Sequence, residues 1–358
     1  AHSTTRTVDW AFFLLWQNLY IMYMKKLCLF TLIVIIISSC AKFIPGFVPA
    51  KKGKVSNSDL AMSADKFFWD NFHEGNYDQI PEILEKLNAA YYKNNKDYVL
   101  AAHIGFTHAW ALAESSRNKQ SSARITDHAT LAVKYFNEAF EMHPEKEWRY
   151  YGFLTSMMLA DGTIHGDDKQ TVEAYFKLKK SARKYPEFNL FTAAYTLASS
   201  PRKKDRELAL EMLWKNLDKC VNEKVDRNNL NYNQYMHLED TESKKSTCWN
   251  TWIAPHNMEG FLLVLGDELM KRNDFKRAIM VYENAKYFEG YSNWGYKDHL
   301  QQRIEQAQVA IDSKLNFKDI KLMKYNRCMV CHQGKEMKPS PDNVHLQRPI
   351  MKVSAHIK

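Results

Sequence analysis

The chain has 358 residues, 45% of them hydrophobic and 25% charged, with only 12 glycines and with 6 cysteines. That is enough apolar material for a substantial helical core or two modest domains, and so little glycine argues against a turn-rich all-β fold. The formal net charge is +9 and unevenly placed: from Lys314 onward ten Lys/Arg meet three Asp/Glu, a net +7, and residues 1–39 carry the other +2, so the body between is balanced.

Met24-Lys25-Lys26 is a positive start for the apolar run Leu27 to Ile37, which is too short to span a bilayer comfortably. The run ends in Ile37-Ser38-Ser39-Cys40. This resembles the lipobox of bacterial lipoproteins, which implies that Cys40 is lipidated and becomes the first residue of a periplasmic protein. No Asp follows Cys40, so the same resemblance implies an outer-membrane anchor. A plain signal peptide or signal anchor is the alternative. Residues 1–23 read as upstream sequence translated in frame, or else as a second apolar anchor around Trp10 to Tyr23. We therefore take 1–39 as extension plus signal, and 40–58, with Pro45, Gly46, Pro49 and Gly53, as a tether.

From about Asp59 to Ser313 apolar positions recur in a repeating unit. Near its start Gly75-x-Tyr77 marks a turn, with Ile80, Leu84 and Leu87 on the face of the following helix. Half-copies follow at Ala132, Phe136 and Ala139 before Pro144, at Ala174, Leu178 and Ser181 before Pro186, and at Ala209 and Leu213. The fullest copy runs Leu265-Gly266-x-x-Leu269, Phe275, Ala278, Tyr282 and Ala285. This resembles the tetratricopeptide pattern, in which small residues let paired helices approach and large ones fill the interface. The resemblance implies an all-α, degenerate tetratricopeptide-like helical solenoid over 59–313. Polar stretches at Arg117 to Asp127 and Asp226 to Lys245 interrupt it. In class and length the body is similar to the T-components of TRAP transporters, although no diagnostic motif of that family is present and the tail departs from it.

Within the body, Asp161-Gly162-Thr163-Ile164-His165-Gly166-Asp167-Asp168 reads as a polar loop with three carboxylates and a histidine, either a turn or a metal site. Asn257 reads as the N-cap of the next helix, beside His256. His103 and His108, five apart on one helix, make a poor metal pair. Tyr91, Tyr92, Trp148, Tyr150 and Tyr151 read as interhelical packing. Cys220 and Cys248 form a candidate disulfide, the alternative being two buried thiols. No nucleophile elbow, P-loop or H-E-x-x-H pattern offers catalysis, so an electron-transfer or binding protein is the expectation rather than an enzyme.

The tail, 314–358, is a short and mostly irregular basic segment carrying Cys328-Met329-Val330-Cys331-His332. C-x-x-C-H is the attachment pattern of c-type haem. Each thiol adds to one vinyl group of the same porphyrin, and His332 lies where its imidazole can ligate the iron. Zinc or a CxxC disulfide are the alternatives. Too few residues follow His332 to enclose a haem, so the ring must lie against the body, be shared at an interface or stay exposed. His345 and Met351 are candidate sixth ligands. The expectation is a membrane-anchored periplasmic scaffold with covalent haem c, docking a protein partner through its helices and an acidic redox partner through its tail. The rival is a cofactor-free binding module in which CxxC is structural. Nucleic acid is a poor partner for an exported lipoprotein. The tail, sparse in periodic apolar residues, is expected to be dispensable for folding of the body.

Overall fold

A computed structural model describes residues 51–115, 124–143, 145–241, 243–325 and 328–334, together with 16, 20–27, 29 and 31. The chain divides into two units, Ala1–Lys51 and Lys52–Lys358. In the first, the described residues between 16 and 31 are helical and exposed, and Thr31 Oγ1 donates to the Leu27 carbonyl at 2.9 Å. Cys40, the expected lipidation site, lies outside the described residues. Among the described residues no helix is long and apolar enough to cross a membrane.

The second unit is all-α among its described residues. Its helices are α1 (Asp59–Glu74), α2 (Ile80–Lys93), α3 (Tyr98–Ser115), α4 (Arg124–Met142), α5 (Trp148–His165), α6 (Asp168–Lys184), α7 (Pro186–Leu197), α8 (Lys203–Val221), α9 (Asn257–Met270), α10 (Phe275–Asn284), α11 (Lys297–Asp312) and the single turn α12 (Met329–His332). Each helix from α1 to α8 packs on the next in the chain, as do α9 to α11, and α1 also meets α3 and α5 meets α7.

The sequence dictates two kinds of helix, and from α2 to α10 they alternate. On α2 the buried positions are Ile80, Ile83, Leu87, Ala90 and Tyr91, and on α6 Ala174, Leu178, Ser181 and Ala182, each set a single stripe at helical spacing. Such a helix covers a core from outside. On α3 every position from 99 to 105 is buried, and on α9 every position from 258 to 266. A helix buried all round must lie between neighbours. Small residues set the closest approaches: a Cβ on Gly266 would lie 2.1 Å from the Tyr282 ring, and one on Gly105 3.1 Å from Phe136. The stops are local as well. Gly75 ends α1 in the left-handed region at φ 71°, and Pro186 opens α7 immediately after α6.

Several readings of single residues change. The segment 161–165 is the last turn of α5 rather than a loop. Asp161 is consumed there: its Oδ1 accepts from Thr130 at 2.7 Å and its Oδ2 from Gln170 at 2.6 Å, while Asp167 caps α6 through Gln170 N at 2.9 Å. No group of three or more His, Cys, Asp or Glu among the described residues is placed to hold a metal ion. Asn257 is not the cap of α9; that position is His256, and Asn257 Nδ2 instead donates to the Thr247 and Trp249 carbonyls at 2.8 and 3.2 Å. Tyr92 is exposed, unlike Tyr91 and Tyr150. The polar stretch 117–127 is partly helical, since α4 begins at Arg124. Cys220 and Cys248 are joined in a disulfide, which closes the loop between α8 and α9.

His103 and His108 serve the core separately. His103 stacks on Phe68 and pairs with Asp65 at 2.6 Å. His108 Nδ1 lies 2.8 Å from His128 Nδ1 on α4, so the two rings share one proton between them and cannot both be charged. Burial, then the neighbouring imidazole, lowers His108 to about 3, and burial lowers His128 as well. Above 6.5 both folded and unfolded chains hold these rings neutral. Below it the unfolded chain takes up protons that the folded chain refuses. We therefore expect melting temperature to fall on acidification below pH ~6.5, and the double variant His108→Gln/His128→Gln to flatten that slope. An unchanged slope would assign acid sensitivity to other groups.

Candidate functional site

The C-x-x-C-H motif forms one helical turn, so Cys328, Cys331 and His332 stand at i, i+3 and i+4 and share a face. The two intervening residues point the other way. Met329 and Val330 are 2% and 0% exposed and enter separate core clusters. A four-residue helix is not stable alone, and long-range contacts hold this one. Trp294 Nε1 donates to the Val330 carbonyl at 2.8 Å, the His256 amide to the Cys331 carbonyl at 3.0 Å, and the Gly334 amide to the His73 carbonyl at 3.0 Å. Gly260 on α9 makes room for it: a Cβ there would lie 2.5 Å from Cys331 Sγ and 2.9 Å from the Val330 carbonyl oxygen.

The segment before the motif is tied down as well. Arg303, itself paired with Asp267 at 2.7 Å, donates to the Met323 carbonyl at 2.9 Å, and Tyr325 donates to Asp267 at 3.0 Å. Residues 314–325 and 328–334 are thus packed on the body. The tail, expected to be dispensable for folding of the body, buries Met329, Val330 and Cys331 in the body's core clusters.

Cys328, Cys331 and His332 all line a cavity of ≈ 330 Å³. Helices α3, α5 and α7 supply most of the rest, chiefly Phe106, Phe153, Phe188 and Phe191, and the segment 246–257 completes it. His332 Nδ1 donates to the Ile253 carbonyl at 2.7 Å, and its ring lies 5.1 Å from that of Phe72. This bond fixes the tautomer and leaves Nε2 as the ring's lone-pair nitrogen, the arrangement metal-ligating histidines adopt. Burial lowers His332 below the ordinary imidazole range and pushes the Cys331 thiol up. Both motif cysteines are thiols.

These residues fit a covalently held c-type haem by the chemistry of the donor set. Two thiols and a tautomer-fixed imidazole lie on one face, that face lines an apolar cavity, and Gly260 admits the turn that carries them. The structure brings together Cys328, Cys331 and His332; His345 and Met351 lie outside the described residues. Two cavity residues have no mark in the motif. Met157 on α5 brings a thioether, and Arg149, near the start of the same helix, is the one formally charged group among the described residues of the lining. Their spacing with Phe153 and Ser156 along one helix face was the available signal, and it reads equally well as packing. No protein family matches the chain, and no curated protein or solved structure is similar to it.

Proposed function

We propose that this chain is a membrane-anchored periplasmic protein that carries one c-type haem, for electron transfer or redox sensing. The carrying observation is that His332, anchored through Nδ1 to Ile253, and both motif cysteines line one apolar cavity. When bound, the group supplies a one-electron change at iron. The chain does the rest. Cys328 and Cys331 would hold the group through their sulfurs, His332 would offer Nε2 to its iron, and the phenylalanines of α3, α5 and α7 would exclude water. Met157, His345 and Met351 are further candidate donors that would complete the iron's ligands.

The same reading takes the body as a tetratricopeptide-like solenoid. In its favour stand the alternation of helix types, the packing of each helix on the next, and the Gly266–Tyr282 approach at the best repeat. The lining of the cavity by α3, α5 and α7, every second helix, fits the inner face of such an array. A protein partner would dock on the helices, and an acidic redox partner would be drawn by the net +7 of residues 314–358. Lipid at Cys40 would anchor the protein, in the outer membrane by the residues after it. A cofactor-free binding module is the second reading, favoured by the apolar character of the cavity itself.

The test is haem that survives denaturing electrophoresis of protein made in a host competent for haem c maturation, read by its peroxidase stain and a reduced-minus-oxidised spectrum. We expect the wild type to stain and Cys328→Ser/Cys331→Ser to lose all covalent haem. A folded, colourless wild type from that host would sink the proposal in favour of the binding module.

A further inference from the structure

Arg149 is an expensive residue for its place. It is 8% exposed, it lines a cavity in which no other described residue is formally charged, and it stands in the first turn of α5, where the helix dipole is already positive. A buried cation needs partners. Among the described residues it has one carboxylate: Glu147 Oε1 lies 2.7 Å from Nε and Oε2 lies 3.3 Å from Nη2. That carboxylate is shared, because Glu147 Oε1 also caps the helix by accepting from the Arg149 amide at 3.1 Å. The Trp148 ring lies 5.1 Å from the guanidinium carbon and offers no further acceptor. Nη1 is bonded to no described residue. Among the described residues one carboxylate therefore faces both the guanidinium and the helix N-terminus, and Nη1 is left over.

We infer that Arg149 binds a carboxylate carried on an apolar body lodged in this cavity. The apolar lining takes the body, and the guanidinium takes the charged end through a charge-assisted hydrogen bond. The inference rests on the haem reading, under which the carboxylate is a haem propionate. A free fatty acid presents the same chemistry.

The experiment has two arms. In the first, wild type, Arg149→Gln, Arg149→Lys and the double variant Glu147→Gln/Arg149→Gln are matured with haem and compared per attached haem. The double variant leaves no carboxylate buried alone, so it keeps the test open if the single one misfolds. The expected result is a shifted propionate bending mode in the resonance Raman spectrum and a lowered midpoint potential in both Gln variants, with Arg149→Lys closer to wild type. Attached haem whose propionate mode and potential are the same in every variant overturns the inference while leaving the haem reading intact. In the second arm, Cys328→Ser/Cys331→Ser protein without haem is titrated with a long-chain fatty acid, with and without Arg149→Gln. If the wild type carries no haem in the first arm, the haem reading falls. Fatty-acid affinity that drops about tenfold or more on losing Arg149 then supports the free carboxylate, and absence of binding overturns the inference altogether.

Discussion

A chain ending at Ser313 is expected to lose cooperative melting, or to melt on the order of 10 °C below the full-length protein made under the same haem-free conditions. The truncation removes Met329, Val330 and Cys331, all buried, from two core clusters. Fully burying a Met or Val side chain stabilises by roughly 1.5–3 kcal/mol. The loss also strips partners from the Trp294 indole, from the amide of His256 and from Arg303, all buried groups. Each such orphan costs about 1–3 kcal/mol. The sum is a large share of the ~5–15 kcal/mol by which domains are stable. Calorimetry of the two chains decides it, and a truncated body that melts cooperatively at the full-length temperature would restore the tail to a separate appendage.

The second large effect is expected at Gly260. Placing a methyl group there sets it 2.5 Å from Cys331 Sγ and 2.9 Å from backbone at Val330, so the turn carrying the motif has to move. Gly260→Val should cost about 1–3 kcal/mol of overpacking and more if the turn is expelled. We expect the variant to lose most covalent haem in a maturation-competent host, because His332 and both thiols leave the cavity together. Gly295→Ala is the control, since a Cβ there meets nothing within 4 Å and the backbone is not strained. Equal haem content and melting temperature in Gly260→Val and Gly295→Ala would show that the close approach of α9 and α12 is not needed.

Helical class was legible because it is written in local spacing. Ile80, Ile83 and Leu87 recur at helical period, Gly75 and Pro186 sit where helices must stop, and Gly266 opposite Tyr282 announces a close pair. The motif itself was also local: three donor residues within one turn share a face whatever surrounds them. The polar run at 161–168 misled because Gly162 costs a helix only about 1 kcal/mol, and the contacts of Asp161 with Thr130 and Gln170 offset it.

What the motif faces could not be read this way. Ile253 reaches His332 across 79 positions, Trp294 reaches Val330 across 36, and Gly334 meets His73 from near the other end of the body. None of these pairs shares a period or a spacing, so no window of sequence contains them. Arg149 and Met157 looked like ordinary helix residues until α5 was placed beside α3 and α7. The sequence by itself determined the helices and the chemistry of the Cys-x-x-Cys-His turn. Only the tertiary structure decided that this turn is built into the core, with Met329 and Val330 buried on one side and an apolar cavity on the other, because that choice depends on surfaces brought together from across the whole chain.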